Sequence, residues 1–294
     1  MRFDPDQLET LLAITEEGTF EAAARRLHLT PSAVSQRVRA LELAAGQVLV
    51  RRGTPATVTA AGEPLTRLAR QLRLLDAETA AELGDPRVVE LPVAVNADSL
   101  ATWFRPVLDG AAAMPATALR LHVEDQAFSH DLLRRGEVLA AVTSEPRPVQ
   151  GCAVEPLGGL RYTPAAAPAL LDRHRRGRGV DWSTLPMVVF NEKDNLQDEV
   201  LELHRSGRPP IVHRVPSTDA FQDAVRRGLG WGMLLDPQLG PDVVRLPGTR
   251  PVHVRLHWQR WRLDSPALAT LSRHVHDAAR GLTRTPARER PRTP

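Results

Sequence analysis

LTPSAVSQRVRALE, at residues 29–42, is the stretch of this sequence that decides its fold. If the segment is helical, Val34, Val38 and Leu41 recur at i, i+4 and i+7 and therefore line one apolar stripe. The opposite face carries short hydroxyls, an amide and a guanidinium, from Ser32, Ser35, Gln36 and Arg39. A helix that buries the stripe thus turns a small, polar and basic face outward.

The residues before this stretch predict two more short helices. Asp4 followed by Pro5 is typical of a helix start, and Gly18 of a helix end. Thr19 is placed to cap a second helix, which runs to about residue 27, and Thr30 to cap the third. Three capped helices with tight connections predict a helix-turn-helix domain.

The residues after it predict a wing and then a long helix. VLVRRGTPATVTAAG, residues 48–62, is β-prone at both ends around a Gly-Thr-Pro tip, which favours a two-stranded wing. From residue 63 to about residue 83 an apolar stripe steps by three and four, through Leu65, Leu68, Leu72, Leu75 and Thr79. Because this segment has no domain of its own to pack against, we expect it to pair with a second copy of itself. The alternative is packing against its own body.

Beyond residue 86, predicted strands and helices alternate. The first series has strands at 88–96, 119–125 and 137–143, with helices from Ser99 and over 128–135. The second has strands at 187–190, 211–215 and 231–235, with helices near 196–204 and 217–227. This order predicts parallel sheet with helices on both faces. A strand at 252–260 and a last helix at 267–282 would return the chain to the first series.

Length and composition bound the possibilities further. The chain has 294 residues, enough for two domains, a formal net charge of +3 and Lys193 as its one lysine. Cys152 is the one cysteine, so no disulfide forms within the chain, and we expect a small core residue in a reducing compartment. With no signal peptide and no run of 18 apolar residues, the sequence predicts a cytoplasmic protein without a membrane partner.

Charge is concentrated where the polar helix face lies. Arg25, Arg26, Arg37, Arg39, Arg51 and Arg52 stand against Glu42 alone, six minus one or +5, within residues 25–52. Such a surface suits double-stranded DNA, because Gln36 can pair with adenine and Arg39 with guanine in the major groove. The predicted DNA contacts are Thr30, Ser32, Ser35, Gln36, Arg37, Arg39, Arg51, Arg52 and Pro55. The alternative is that these are ordinary solvated helix residues. This alternative explains any one of them taken singly, but it explains the whole set less well than DNA binding does.

Residues 4–62 resemble the winged helix-turn-helix of LysR-type transcriptional regulators. The matching stretches are QLETLLAITEEGTFEAAARRL, LTPSAVSQRVRALE and GQVLVRRGTPATVTAAG. The resemblance implies an α/β protein with an N-terminal all-α winged helix-turn-helix and a two-lobed effector domain similar to periplasmic solute-binding proteins. The corresponding boundaries are a DNA-binding domain at 1–62, a dimerising linker helix at 63–86 and an effector domain at 87–282. The tail at 283–294 lies outside the resemblance, and its Arg- and Pro-rich composition predicts disorder.

Within that family the chain is most similar to the ArgP/LysG group. The stretches that carry this likeness are VNADSLATWF, LHVED, LLRRGEVLAAVT, STDAFQDAVRRGLGWGML and LHWQR. The group responds to lysine and arginine and controls genes that include a basic amino-acid exporter. The likeness therefore implies an amino-acid effector bound between the lobes, a homodimer or homotetramer, and contact with RNA polymerase.

The ends of the predicted strands supply candidate effector contacts, since ligands of α/β domains bind there. A basic amino acid needs a helix start and a hydroxyl for its carboxylate, a hydroxyl or carbonyl for its ammonium, and an acid for its side chain. The candidates are Asp98, Ser99, Asp125, Thr143, Ser217 and Thr218. Alternatively, Asp98 and Asp219 only cap helices, and Glu124 is a surface acid.

Two rival hypotheses remain. A ligand-independent DNA-architectural protein would bind DNA without responding to any amino acid, and a regulator of the same type with another small effector would ignore lysine and arginine. An enzyme is disfavoured because the sequence has no H-E-x-x-H, no C-x-x-C and no phosphate loop. We accordingly expect no catalytic residues, no metal and no cofactor.

Overall fold

The computed structural model describes residues 2–85, 87–124, 129–177 and 179–282. Asp125 and the predicted tail at 283–294 lie outside the described residues. The helices are α1 Pro5–Glu17, α2 Phe20–Arg26, α3 Pro31–Ala45, α4 Glu63–Glu82, α5 Ala97–Ala101, α6 Arg105–Ala112, α7 Ser129–Arg135, α8 Pro168–Arg173, α9 Leu196–Leu203, α10 Thr218–Arg226 and α11 Pro266–Ala278.

The strands are β1 Val50–Arg51, β2 Thr57–Val58, β3 Val89–Val95, β4 Thr117–Val123, β5 Ala140–Thr143, β6 Cys152–Ala166, β7 Arg175–Arg176, β8 Gly179–Val180, β9 Met187–Val189, β10 Val212–Arg214, β11 Gly232–Leu235, β12 Val244–Arg245 and β13 Val252–Trp261. The chain forms two compact units. Unit 1 comprises the described residues of 1–96, 105–155 and 257–278, and unit 2 those of 97–104, 156–256 and 279–282.

Helix caps set the boundaries of the first three helices, as the sequence predicts. The Asp4 carboxylate accepts hydrogen bonds from the N–H groups of Asp6 and Gln7, at 2.9 and 3.1 Å. The hydroxyls of Thr19 and Thr30 cap α2 and α3 in the same way. Because these caps satisfy backbone donors that the first helical turn leaves unpaired, they stop each helix at a defined residue.

The apolar stripe of α3 is buried, which confirms its predicted orientation. Val34 and Leu41 are 0% exposed and Val38 is 3% exposed. They belong to a core that α1 supplies with Leu8, Leu11 and Leu12. The wing is also confirmed, since β1 and β2 pair antiparallel. Burial of the stripe leaves the polar face of α3 directed away from this core.

The packing of α4 corrects one expectation. Leu65 and Ala69 are buried in the core of the first three helices, and Leu68 packs against it. The premise that this helix has no domain of its own to pack against is therefore wrong, because its first half completes the core of the first three helices. Further along, Leu72 is 39% exposed and Leu83, just past the helix, is 83% exposed.

The remainder of unit 1 is an α/β layer. Strand β3 pairs in parallel with both β4 and β5, which confirms the predicted parallel order. Residues 257–260 of β13 then pair antiparallel with β5, so the chain does return to the first series. Helix α11 follows β13 and packs on α6 and β3.

Unit 2 is a second α/β layer. Strands β9 and β10 pair in parallel, and β11 and β12 pair antiparallel with β6. Phe221 and Val225 of α10 pack on Val188 and Leu234. The sequence analysis missed the 15-residue strand β6, because Gly158, Gly159 and Pro164 interrupt its apolar pattern.

An ion-pair network joins α1 to α4. Arg73 contacts Glu9 at 2.7 Å and Glu16 at 3.0 Å, and Arg70 contacts Glu16 at 2.8 Å. Burial alone would raise the pKa of Glu16, but the charges of Arg70 and Arg73 outweigh it and the pKa is lowered. Glu16 therefore stabilises the fold at pH values above its ordinary pKa near 4.5.

We expect Glu16→Gln to lower the free energy of unfolding by about 1–3 kcal/mol at pH 7, since Arg26, Arg70 and Arg73 each lose an ion pair with Glu16. The difference from the parent should shrink as the pH falls through the lowered pKa, where the parent carboxylate is protonated. Urea unfolding between pH 3 and 7 measures this. Glu17→Gln is the control, because among the described residues Glu17 forms an ion pair with Arg26 alone, at 3.3 Å, and its side chain is 37% exposed. Equal losses in the two variants would contradict the role of Glu16.

Candidate nucleic-acid interface and effector residues

The outward face of α3 presents the side chains that the sequence singled out. Ser32, Gln36 and Arg39 are exposed and Ser35 is half-buried. Four predicted residues meet in one groove, since Ser35, Gln36, Arg39 and Arg52 line a cavity of about 590 Å³ between α3 and the wing. The sequence analysis did not assign the other lining residues, which are Phe20, Val38, Glu42, Val48 and Val50.

One contact fixes the wing to α3, and two more fix it to the segment where α1 ends and α2 begins. Glu42 Oε1 accepts a hydrogen bond from the Leu49 N–H at 3.0 Å. The Ala56 N–H donates to the Gly18 carbonyl at 2.7 Å. The Arg52 guanidinium lies 4.7 Å from the centre of the Phe20 ring, a cation–π contact. Glu42, the acid nearest the polar face of α3, is thus engaged with wing backbone, and Arg52 is held at the groove. Arg51 and Pro55 are exposed on the wing.

Acids of α1 compensate two of the six arginines in the basic patch. Arg37 contacts Asp6 at 2.9 Å, and Arg26 contacts Glu16 at 2.7 Å. Among the described residues, no acidic group forms an ion pair with the other four, which are all exposed: Arg25, Arg39, Arg51 and Arg52. The basic surface is therefore concentrated at the groove and the wing.

Thr30 has a structural role besides any DNA contact. Its hydroxyl accepts from the Ala33 N–H at 3.2 Å and lies 2.9 Å from the Ser32 hydroxyl. Both residues are exposed at the start of α3, where unpaired N–H groups favour an anion.

In unit 2 the structure brings two predicted effector residues together. The half-buried Asp98 carboxylate accepts hydrogen bonds from the Thr218 hydroxyl at 3.1 Å and from the Tyr162 hydroxyl at 2.8 Å. Asp98 lies within the first turn of α5, and its carboxylate holds two neighbouring side chains. Tyr162 was not predicted, because it lies on β6.

The two serines occupy different environments. Helix α5 begins at Ala97, so the predicted start at Ser99 is wrong, and Ser99 is fully buried inside the helix. Ser217 is exposed, and its hydroxyl caps α10 by accepting from the Ala220 N–H at 3.4 Å. Its position at this helix start is what the sequence predicts.

Thr143 is the last residue of β5, in unit 1, and is fully buried. Its hydroxyl accepts from the Glu145 N–H at 3.1 Å. Glu124, which follows β4, is half-buried.

A second acid in unit 2 lies at the carboxyl end of β11. Asp236 contacts Arg161 at 2.6 Å and accepts from the Thr163 hydroxyl at 3.2 Å. Arg161 and Thr163 alternate with Tyr162 along β6, so Tyr162 projects from the other side of the strand. The charge of Arg161 is compensated by Asp236.

Other reactive groups have ordinary environments. Cys152 is 2% exposed, and burial raises the pKa of its thiol to about 12. Nowhere in the described residues do three or more His, Cys, Asp or Glu side chains gather into a set able to hold a metal ion. Within the same part of the chain, no helix combines the length and the apolar character that crossing a bilayer requires.

Comparison with known proteins gives matches along nearly the whole chain. Residues 5–63 match the family model of the bacterial regulatory helix-turn-helix protein, lysR family, and residues 84–280 match the LysR substrate binding domain. The lysine export transcriptional regulatory protein LysG of Corynebacterium glutamicum is 46% identical over 286 residues, 94% of this chain and 98% of that protein.

Two solved structures are similar throughout. Full-length LysG from Corynebacterium glutamicum with bound effector Arg has a TM-score of 0.79 and 44% identity, over 96% of this chain and 100% of that one. ArgP from Mycobacterium tuberculosis has a TM-score of 0.84 and 44% identity, over 96% and 99%.

The exposed guanidinium of Arg39 lines the groove between α3 and the wing, and we therefore expect its removal to affect DNA binding. We expect Arg39→Ala to weaken binding to the cognate operator by about 1–3 kcal/mol, which is the worth of a good base contact, while the melting temperature stays unchanged. Fluorescence anisotropy at fixed salt measures the affinity. Arg227→Ala, which removes an 80% exposed arginine from unit 2, is the control. Unchanged operator affinity in Arg39→Ala would remove α3 as the reading helix.

Proposed function

Because the chain belongs to the LysR family of bacterial transcriptional regulators, we propose that it senses a basic amino acid, lysine or arginine, and controls a gene for basic amino-acid export. The observation that carries the choice of effector is the Asp98 carboxylate. It is half-buried, and two neutral hydroxyls orient it. A carboxylate prepared in this way suits a cationic side chain, since charge-assisted hydrogen bonds are the strong ones.

The relatives support the same effector class. The 46% identical protein is named for lysine export, and the structure of that regulator with a TM-score of 0.79 has Arg as its bound effector. In this proposal Asp98 binds the side-chain cation, and Ser99, Asp125, Thr143, Ser217 and Thr218 contribute the remaining polar contacts. Tyr162 joins them as the residue that orients Asp98.

DNA recognition follows from the groove. In this proposal α3 enters the major groove, where Gln36 contacts adenine, Arg39 contacts guanine and the serines contact either base. Thr30, Ser32 and Arg37 hold phosphate at the edge of the site, and Arg51, Arg52 and Pro55 lie at a flanking phosphate or minor groove. In this proposal the protein regulates transcription and is not an enzyme. Bound to upstream DNA, it lies close enough to contact RNA polymerase.

The test of the effector is a thermal-shift screen over the amino acids. A ligand at 100 times its Kd stabilises the native state by about 2.7 kcal/mol, so lysine or arginine should raise the melting temperature. Citrulline, whose side chain is uncharged, should not. Gel shifts with upstream DNA, with and without the stabilising amino acid, then measure the regulatory response. A ligand-independent architectural protein would give the DNA shift and no amino-acid binding by calorimetry.

We expect Asp98→Asn to weaken lysine or arginine binding by about tenfold to 100-fold, the loss of one hydrogen bond to a charged group. DNA affinity without effector should be unchanged. Calorimetry provides the measurement, and Asp219→Asn, an exposed acid on α10, provides the control. If Asp98→Asn binds arginine as the parent does, Asp98 is not the side-chain contact.

The exposed part of the α4 stripe supports a homodimer or homotetramer. Leu72 is 39% exposed, Leu75 half-buried and Thr79 exposed, on a helix whose first half is already packed. A second copy of α4 would cover this stripe.

We therefore expect Leu72→Glu to weaken self-association by more than about tenfold, because it buries a charge in the pairing surface. Analytical ultracentrifugation across a dilution series measures it. Gln71→Glu introduces the same charge about 100° around the helix and should leave the oligomer intact. Identical sedimentation of both variants and the parent would place the dimer contact elsewhere.

A further inference from the structure

A second face of α4 lies on the α/β layer of unit 1. The Arg67 guanidinium donates to the Arg134 carbonyl at 2.7 Å, and the Arg70 Nε donates to the Gly136 carbonyl at 2.7 Å. The Arg134 carbonyl lies in the last turn of α7 and the Gly136 carbonyl directly follows the helix, at the end where helical carbonyls lack partners and carry partial negative charge. Two cations of α4 thus cap the negative end of a helix in the other half of the unit.

The opposite charge stands further along the same helix. Glu78 Oε1 accepts from the Ser265 hydroxyl at 2.7 Å and from the Ala267 N–H at 2.9 Å. These groups form the N-terminus of the 13-residue helix α11, which is the positive end of its dipole. Along α4, then, the sign of each side chain is opposite to the partial charge of the helix end that it meets.

Further contacts restrict movement at the α7 end. The Arg67 guanidinium lies 5.3 Å from the centre of the Trp261 ring, and Glu63 contacts Arg134 at 3.0 Å. Gly136 has φ +70°, and a Cβ on it would collide with the Arg67 side chain. The α7 end and α4 are therefore in close contact.

Arg70 joins three elements at once. Its guanidinium is 12% exposed and bonds to Glu16 of α1 as well as to Gly136 after α7. Helix α1 packs directly on α3. One side chain therefore connects the support of the reading helix to the segment that leads, through Glu137, into β5.

We infer that Arg67, Arg70 and Glu78 are positioning residues that fix the reading helix α3, by way of α1 and α4, to the α/β layer of the same unit. We refer to these three side chains as the dipole clamp. Strand β5, which follows α7, ends at Thr143, one of the proposed effector contacts. The dipole clamp is thus the route by which an effector at β5 alters the placement of α3, a step that rests on the proposed function.

The test uses the full chain with Glu78→Gln and, separately, Arg70→Met. Glu78→Gln removes the charge and keeps the shape, and Arg70→Met removes the guanidinium and keeps most of the aliphatic stem. Glu82→Gln is the matched control, because Glu82 is an exposed acid one turn further along α4. Unfolding midpoints first establish that each variant is folded.

Hydrogen exchange and footprinting then report on the dipole clamp. We expect amides in the first turn of α11 to exchange at least about tenfold faster in Glu78→Gln, and those at the end of α7 in Arg70→Met, since each loses its cap. Operator affinity without effector should stay within about threefold, because α3 is unchanged. The length of DNA protected should change, and added arginine or lysine should no longer alter it.

Two results would overturn the inference. One is unchanged exchange at both helix ends, which would mean that the caps do not hold α4. The other is a parental footprint and a parental effector response in both variants despite faster exchange, which would show that the caps are only structural. If the parent itself ignores lysine and arginine, the proposed effector is wrong, while exchange and the effector-free footprint still test the dipole clamp.

Discussion

Burial of three aliphatic side chains on α3 is the constraint on which the functional surface depends. Val34, Val38 and Leu41 must face the core that α1 provides, and this fixes the rotation of α3 about its own axis. With the rotation fixed, Gln36 and Arg39 can only point outward. A base-reading surface needs side chains that start from one defined backbone position. The apolar stripe supplies that definition, although none of its members would touch a base.

Electrostatics then divides the DNA-binding domain into two regions. Acids on α1 pair with Arg26, Arg37, Arg70 and Arg73, so cations on that side serve cohesion between helices. The arginines at the groove and the wing keep their charge for a polyanion. The small formal net charge of +3 does not reveal this division. A ligand interacts mainly with the arginines that have no acidic partner nearby in the fold, and a count of charges along the sequence cannot identify them. Screening by salt weakens both regions, but it weakens the exposed one more.

The helices and the wing of the first 62 residues could be predicted from the sequence, because the interactions that determine them are local. Caps at Asp4, Thr19 and Thr30 act over three residues, and the α3 stripe from Val34 to Leu41 spans eight, so both signals lie in a short window. Apart from the start of α5, the misses needed tertiary information. The first half of α4 packs on α1, a partner about 55 residues away in sequence for Arg70 and Glu16. Tyr162 reaches Asp98 only because β6 forms, and glycines and a proline hide that strand. The pairing of Arg37 with Asp6 likewise joins two helices that no periodicity relates.

The environment of Cys152 has a practical consequence for spectroscopy. The thiolate is the species that alkylating dyes and spin labels attack, and burial raises the pKa of the Cys152 thiol to about 12, which disfavours the thiolate at neutral pH. Burial at 2% exposure hinders access as well. The native chain therefore behaves as a nearly cysteine-free background. A single cysteine introduced on the surface would accept a fluorophore selectively, so the labelled position could be followed on DNA without first removing Cys152 from the core.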